Sequence, residues 1–594
     1  MTPEETLAVA KNWLASLEAA KDEEAFAGHF SPTGWFRDLL CFSWDFRTIA
    51  GRPKIAEFLS HKSAGGNSRL AHAGLHDLKI DTTSAIGPPT MFPLPRNPNA
   101  QGVSAVFDFS LTSPPAKGRG FFRIVPDSEG GWKAYTLLTD LKNLVGHEEP
   151  SHRPRGYLDT TWEEVQARKI AEIEGDPTVL IIGGAQSGLM CAARFGRMGI
   201  RALVIEKTAR IGDVWRNRYP NLSLHTTAHH SSRMETYPEF LPKGKIADFL
   251  EAYAVGQEID VWLSSTIRPG PTYDNSTGRW SVEIDRGGNR VVLAPKHIVI
   301  ATGNGRTRMP KWPGMDSFSG PLYHSDSHKG AAPFKGKKII VVGACNAGAD
   351  ICKDFVLKGA EEVTMVQRSA TCVISASTAD KILFGPTAHL PSEDGDFMSH
   401  SMPPALLMKL AAGGGTQHLK NLDQKLHEGL ANAGFKLTWE LTPGGEQFGP
   451  LGFYLQRVAS GSMLDMGCGQ LIIDGKIKIK QGVEVERVEA NGMVFKDGSR
   501  IPADVIVLAT GNEPIIENAV TIFGEGITDK IGSKVWGLDD EGELIHAYRP
   551  TGAPGLWFTP GGFPQSRFFS RHLVRPLVPF PGGLRFRSWR RNWG

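Results

Sequence analysis

Cysteine is scarce, at six in 594 residues. The six are Cys41, Cys191, Cys345, Cys352, Cys372 and Cys468, with no C-x-x-C spacing among them. That excludes a disulfide framework, a zinc ribbon and a thioredoxin-type redox pair, and no metal site is expected. A surplus of charge is missing as well. Lys and Arg number 66 against 63 Asp and Glu, a net of +3, whereas a dedicated nucleic-acid binder needs a basic excess. No apolar run approaches the ~18 residues of a membrane span. The first residues, MTPEETLAVAKNWLASLEAAKDEE, carry acids early and lack the apolar stretch of a secretory signal. The expectation is a soluble, cytoplasmic protein with no transmembrane segment and no nucleic-acid partner. Glycine, by contrast, is plentiful at 67 residues, as folds with close backbone approaches require. The length predicts about three or four domains, and 41% hydrophobic residues suffice for several cores.

Residues 1–150 place helices before strands. Leu7, Ala10, Trp13, Leu14 and Leu17 have helical spacing, and a second short helix is predicted over 54–61. Strands follow over 103–111, 119–125 and 132–138, separated by Pro/Gly-rich turns. This order predicts an α+β layer that folds by itself. Residues 151–175 read as a polar linker with a short helix. From 176 the pattern becomes βαβ: a strand over 177–182, a glycine-rich turn, a helix over 189–198 and a strand over 202–206. The device returns at 338–348, with a helix to 357 and a strand over 362–367. Two further strands, at 297–303 and 504–511, end in Ala-Thr-Gly. The first glycines of the two turns are 160 residues apart, too far for a solenoid repeat. The fold class expected is α/β, with two interleaved Rossmann-type dinucleotide-binding domains behind the α+β domain.

The first turn is Gly183-Gly184-Ala185-Gln186-Ser187-Gly188. It fits G-x-G-x-x-G except for Ala185 at the middle glycine. The first glycine allows the tight turn, the middle position lets backbone N–H groups approach a pyrophosphate, and the last lets helix pack on strand. Glu206, 23 residues past Gly183, ends the next strand, where an acid accepts from a ribose hydroxyl. Lys207 follows it. The second turn is Gly343-Ala344-Cys345-Asn346-Ala347-Gly348, more crowded at Cys345. After its following strand stand Arg368 and Ser369 rather than an acid. A guanidinium and a hydroxyl there suit a 2′-phosphate. The first cradle is therefore expected to bind FAD and the second NADPH.

A second set of motifs carries a family resemblance. Gly212-Asp213-Val214-Trp215, Arg218-Tyr219-Pro220 and Leu222-Ser223-Leu224-His225 resemble a stretch of the class B flavin-containing monooxygenases. Phe318-Ser319-Gly320-Pro321-Leu322-Tyr323-His324 is similar to the F-x-G-x-x-x-H core of that family's fingerprint. Gly555-Leu556-Trp557-Phe558, Gly561-Gly562-Phe563 and Gln565-Ser566-Arg567 resemble its last flavin-side segment. The resemblance covers about 176–572 and is nearest the fungal and plant branch that includes indole-3-pyruvate monooxygenases. It implies an FAD-binding domain at 176–330 and 491–572, an inserted NADPH-binding domain at 331–490 and a basic irregular tail at 573–594. It also adds Gly212, Trp215 and His225 to the cofactor-binding residues. Two departures stand out. His328 holds the position where the fingerprint has Tyr or Phe, and Baeyer–Villiger enzymes Trp. Thr226-Thr227 stand where animal members carry a flavin-side Asn, so no catalytic residue is assigned. His225 and His324 read as linker and flavin-packing residues.

The activity implied is an FAD- and NADPH-dependent monooxygenase. It would transfer one oxygen atom from O2, through a flavin C4a-hydroperoxide, to a small organic substrate, with a setting in fungal secondary metabolism. The alternatives are a Baeyer–Villiger-type monooxygenase acting on a ketone and a flavin-dependent NADPH oxidase. A flavin disulfide reductase would need a C-x4-C near the first cradle, where Cys191 stands alone. A non-enzymatic binder led by the N-terminal domain is a further alternative. That domain, with Gly34-Trp35-Phe36-Arg37-Asp38 and Trp44-Asp45-Phe46-Arg47, resembles the cone-shaped SnoaL-like α+β superfamily. Arg37, Asp38 and Asp45 could line a pocket there, or form a structural pairing in a docking domain.

Overall fold

A computed structural model of the chain describes residues 1–577 except 64, 95–96, 129, 151–158, 229–236 and 459. Its first helix, Pro3–Glu18, starts in a capping box. Thr2 Oγ1 accepts from Glu5 N (3.2 Å) and the Glu5 carboxylate accepts from Thr2 N (2.8 Å). Ala10, Trp13, Leu14 and Leu17 are buried, as their spacing predicts, together with Thr6, while Leu7 is half-buried. The predicted strands appear longer, as Asn97–Thr112, Pro115–Pro126 and Trp132–Leu144. Four strands not predicted, Phe30–Leu39, Phe46–Ala50, His76–Ile80 and Thr90–Leu94, complete a seven-stranded sheet, in which Phe30–Leu39 runs parallel to Trp132–Leu144. Phe26, Phe30, Phe42 and Phe58 each pack on Phe36 in its core, at ring separations from 5.6 to 6.2 Å.

Two five-stranded parallel sheets follow. The first runs, edge to edge, Val261–Trp262, Ala202–Ile205, Val179–Ile182, His297–Ile300 and Leu556–Phe558. The second runs Lys478–Gln481, Glu362–Gln367, Lys338–Val342, Val505–Leu508 and Leu322–His324. The two orders correspond strand for strand, with the strand that enters the glycine turn at the centre. Both central strands are nearly continuous runs of buried aliphatic residues, as sheets covered on both faces require. Each Ala-Thr-Gly strand lies beside its own central strand. The boundaries drawn from sequence therefore shift: Leu322–His324 and Val505–Leu508 belong to the second sheet, although 176–330 and 491–572 were read as the first unit. The chain returns to the first sheet only at Leu556–Phe558. Helix Trp162–Gly175 occupies the described part of the linker region, and residues 151–158 lie outside the described residues.

The N-terminal layer is not a separate body. Its core is continuous with that of the first unit: Phe46 packs on Phe569 and on His572, each at 5.3 Å. Arg37 donates to Glu543 through Nε (2.5 Å) and Nη2 (2.8 Å), and both side chains are sealed from solvent. Arg549 grips Asp45 (2.8 and 3.1 Å), Arg119 meets Asp394 (2.6 Å), and Arg571 and His572 both reach Asp140. Asp38 accepts from Cys41 N, Phe42 N and Thr139 Oγ1, all at 3.0 Å. Arg37 and Asp45 are thus docking groups, Asp38 ties its own loop, and the pocket-lining reading fails. An isolated 1–145 fragment would leave Arg37 without Glu543 and bare Phe46. The tail also begins later than predicted. Helix Phe563–Val574 and the turn Arg575–Leu577 extend through 577, and residues 578–594 lie outside the described residues. No helix among the described residues is long and apolar enough to cross a membrane.

Candidate functional site

Both glycine turns sit at the C-terminal end of a central strand and open a 12-residue helix, Gln186–Arg197 and Asn346–Leu357. Their geometries are nearly superimposable. Gly183 has φ +114° and Gly343 φ +126°. A Cβ on Gly183 would lie 2.5 Å from Ala301 O, and one on Gly343 2.2 Å from Ala509 O. The Ala of each Ala-Thr-Gly strand is therefore what demands glycine at the turn. A Cβ on Gly188 or Gly348 would come within 2.0 Å of the carbonyl of Gly183 or Gly343, which fixes the close helix–strand packing. Ala185 and Cys345 hold equivalent extended N-cap positions, and neither caps its helix with a side chain. The first N–H groups of both helices are left for an outside acceptor, and the positive end of the helix dipole favours an anion there.

The second halves differ as the sequence predicts. Glu206 is buried, taking Gly184 N at 2.8 Å on one carboxylate oxygen and Thr208 N and Oγ1 at 2.9 Å on the other. Lys207 is exposed. Arg368 and Ser369 are exposed just past the strand Glu362–Gln367. Arg368 makes no hydrogen bond or ion pair among the described residues, so its guanidinium is available to a ligand. Ser187 Oγ meets Ser566 Oγ at 3.1 Å, tying the first cradle to the last helix. Gly212 turns at φ +89°, where a Cβ would lie 2.6 Å from Ala247 O, and Trp215 packs half-buried between two cores. Asn346 is turned away from the cradle, its Oδ1 accepting from Leu464 N at 2.8 Å. Ala344 is buried and Ala347 half-buried.

Two acids missed in the sequence organise the junction between the units. Asp350 and Asp354 lie one turn apart on the second cradle's helix, both buried. Asp350 Oδ2 accepts from Tyr219 OH (2.7 Å) and faces His225 Nε2 (3.1 Å), while its carbonyl accepts from Asn221 Nδ2 (3.0 Å). Asp354 Oδ2 faces His328 Nε2 (3.1 Å) and accepts from Ala331 N (2.9 Å), and His328 Nδ1 faces Tyr323 OH (3.0 Å). Burial and the Asp350 carboxylate push the Tyr219 hydroxyl up, so it remains a donor. The R-Y-P-x-L-x-L-H stretch and the fingerprint linker are thus both fastened to this helix. His225, expected beside a cofactor, is instead fastened to Asp350. His324 Nε2 faces Gly511 O at 3.1 Å, a structural contact. The available signal was a pair of acids spaced i, i+4 within the apolar stretch Asn346–Leu357.

The residues present fit a dinucleotide in the first cradle. Gln186 Oε1 is buried there without a partner, beside N–H groups that no side chain caps. Burial pushes the Cys191 thiol up to about 12 and raises that of Cys345. Cys191 has no second cysteine at the C-x4-C spacing that a flavin disulfide reductase needs. Among the described residues, no cluster of three or more His, Cys, Asp or Glu could hold a metal.

Residues 177–384 match the flavin-binding monooxygenase-like family model. This segment is similar to the class B flavin monooxygenases. An indole-3-pyruvate monooxygenase of Oryza sativa subsp. japonica is 29% identical over 372 residues, 60% of this chain and 82% of that protein. A probable indole-3-pyruvate monooxygenase of Arabidopsis thaliana is 28% identical, over 56% of this chain and 74% of its own. Among solved structures, a flavin-containing monooxygenase from Stenotrophomonas maltophilia aligns with a TM-score of 0.45 and 17% identity, over 67% of this chain and 98% of that one.

Proposed function

We propose that the chain is an FAD- and NADPH-dependent monooxygenase that places one atom of O2 on a small organic substrate. The observation that carries this reading is the pair of matching cradles whose second halves differ: Glu206 after the first, Arg368 and Ser369 after the second. When bound, FAD takes a hydride equivalent from NADPH and activates oxygen. Gly183, Gly184, Ala185, Gln186, Ser187 and Gly188 would hold the FAD pyrophosphate, with Glu206 toward the ribose. Gly343 to Gly348 would hold that of NADPH, with Arg368 and Ser369 toward the 2′-phosphate. Asp350 and Asp354 orient the second cradle against the first. The N-terminal layer, read as SnoaL-like, buttresses the helix Phe563–Val574 and the helical segment Ser392–Ser399 through Asp140 and Arg119.

The test begins with anaerobic NADPH, which should bleach the flavin of the purified protein. Failure to bleach would overturn the reading. With 18O2, label should then appear in an organic product. Label inserted beside a ketone would mark the Baeyer–Villiger alternative. Hydrogen peroxide matching all NADPH consumed, whatever the substrate, would mark an NADPH oxidase.

A further inference from the structure

Behind the first cradle, three buried hydroxyls form a chain: Tyr548, Ser566 and Ser187. Ser187 is the second residue of the helix Gln186–Arg197, and its Oγ meets Ser566 Oγ at 3.1 Å. Ser566 donates to Gly562 O (2.9 Å) and accepts from Tyr548 OH (3.2 Å). A serine hydroxyl has one proton to donate. With that proton on Gly562 O, Ser566 accepts from Ser187 as well as from Tyr548. Burial, then the neighbouring Cys191, pushes the Tyr548 hydroxyl up, so it stays a donor. The chain therefore joins three segments distant in sequence: the first glycine turn, the Gly562 turn that opens the last helix, and the loop that leads into strand Leu556–Phe558.

Tyr548 is held there against its backbone preference. Its φ is +59°, an outlier for a bulky residue that persists only where the surroundings over-determine it. Its N–H donates to Phe558 O (2.9 Å), and its ring stacks on Phe569 at 5.7 Å. A phenylalanine would keep that ring contact without a polar group to bury, so the hydroxyl's use is its bond to Ser566.

We propose that Tyr548 is a positioning residue for the flavin dinucleotide: through Ser566, its hydroxyl fixes the Ser187 turn of the first cradle against the Gly562 turn of the last helix. The proposal rests on the FAD reading of the first cradle. Both turns open helices whose first N–H groups are ligand-facing in that reading, so a shift of one against the other displaces donors from the dinucleotide.

The test measures FAD affinity in the full-length holoprotein, from the flavin fluorescence released on dilution, for the parent, Tyr548→Phe, Ser187→Ala and the double variant. Tyr548→Phe should raise the Kd for FAD about three- to ten-fold, the value of one net hydrogen bond. Its Kd for NADP+ should stay that of the parent. In the Ser187→Ala background the same substitution should change the Kd for FAD less than about two-fold, because the residue it acts through is gone. An unchanged Kd for FAD in Tyr548→Phe would overturn the proposal, since a hydroxyl that only supports the fold stabilises the loaded and empty protein alike. An equal fold-loss in both backgrounds would also overturn it, as would parallel losses of FAD and NADP+ affinity. If Tyr548→Phe fails to fold, Ser566→Ala cuts the same chain, and an unchanged Kd for FAD there would overturn the proposal. A parent protein that holds no flavin would instead overturn the FAD reading, before any variant is compared.

Discussion

Glu543→Gln is the substitution that most directly probes how the N-terminal layer is attached. The Glu543 carboxylate accepts from Arg37 Nε and Nη2 and from Thr48 Oγ1 (2.6 Å), with side-chain exposures of 1% for Glu543 and 2% for Arg37. Neutralising it leaves the Arg37 guanidinium buried, with only the carbonyls of His400 and Met402 as partners. Breaking a buried pair from one side costs about 3–5 kcal/mol, because the surviving charge is desolvated and unpaired. Arg37→Met should cost a similar amount by stranding the carboxylate. The double variant Arg37→Met/Glu543→Gln leaves no charge behind. It should cost less than the sum of the singles by at least about 2 kcal/mol, the coupling expected of a shared buried network. Urea unfolding followed by flavin release and by tryptophan emission measures all three variants. Singles within about 1 kcal/mol of the parent, or a double equal to the sum of the singles, would refute the view that this pair is a buried, mutually dependent dock.

Gly188→Val should yield protein without flavin, since even a Cβ there falls 2.0 Å from Gly183 O; stoichiometric flavin in the variant would displace the FAD site from the first cradle. Arg368→Ala should lower kcat/KM for NADPH roughly 10- to 100-fold, from a charged hydrogen bond of about 1.5–3 kcal/mol, and hardly affect NADH; equal losses with both coenzymes would return Arg368 to a structural role. Asp350→Asn should keep its flavin yet slow anaerobic reduction by NADPH about ten-fold, because it loosens the hold of Tyr219 and His225 on the second cradle; an unchanged rate in stopped flow would remove Asp350 from positioning. Burial, then Glu174 nearby, pushes the Asp260 carboxyl up to about 6 from 3.8, so the folded state holds that proton across the interval and the stability it lends fades as pH rises through about 6. Asp260→Asn should therefore be more stable than the parent by ~1 kcal/mol at pH 8 and equal to it near pH 4; the same difference at both pH values in unfolding experiments would contradict this.

The two cradles were legible in the sequence because each is a local object. A strand, a glycine turn, a helix and the end of the next strand fit within about 25 residues, and strand and helix spacing dictates where each backbone group points. The contrast between Glu206 and Arg368 was legible for the same reason. What the sequence could not supply is which distant segments meet. Glu543 lies 506 residues from Arg37, and Asp350 lies 131 from Tyr219 and 125 from His225. A buried carboxylate looks like any other acid until packing removes its water and forces it to find donors, so the Asp350 and Asp354 clamps had no local signature beyond their spacing. The same holds for the strand Val505–Leu508, whose pattern marked a returning strand but not the sheet it returns to. Local chemistry determined two glycine turns at strand ends, with an acid after the first and a guanidinium after the second. Tertiary packing decided how they face one another, and it turned Arg37 and Asp45 from the lining of a pocket into docking groups.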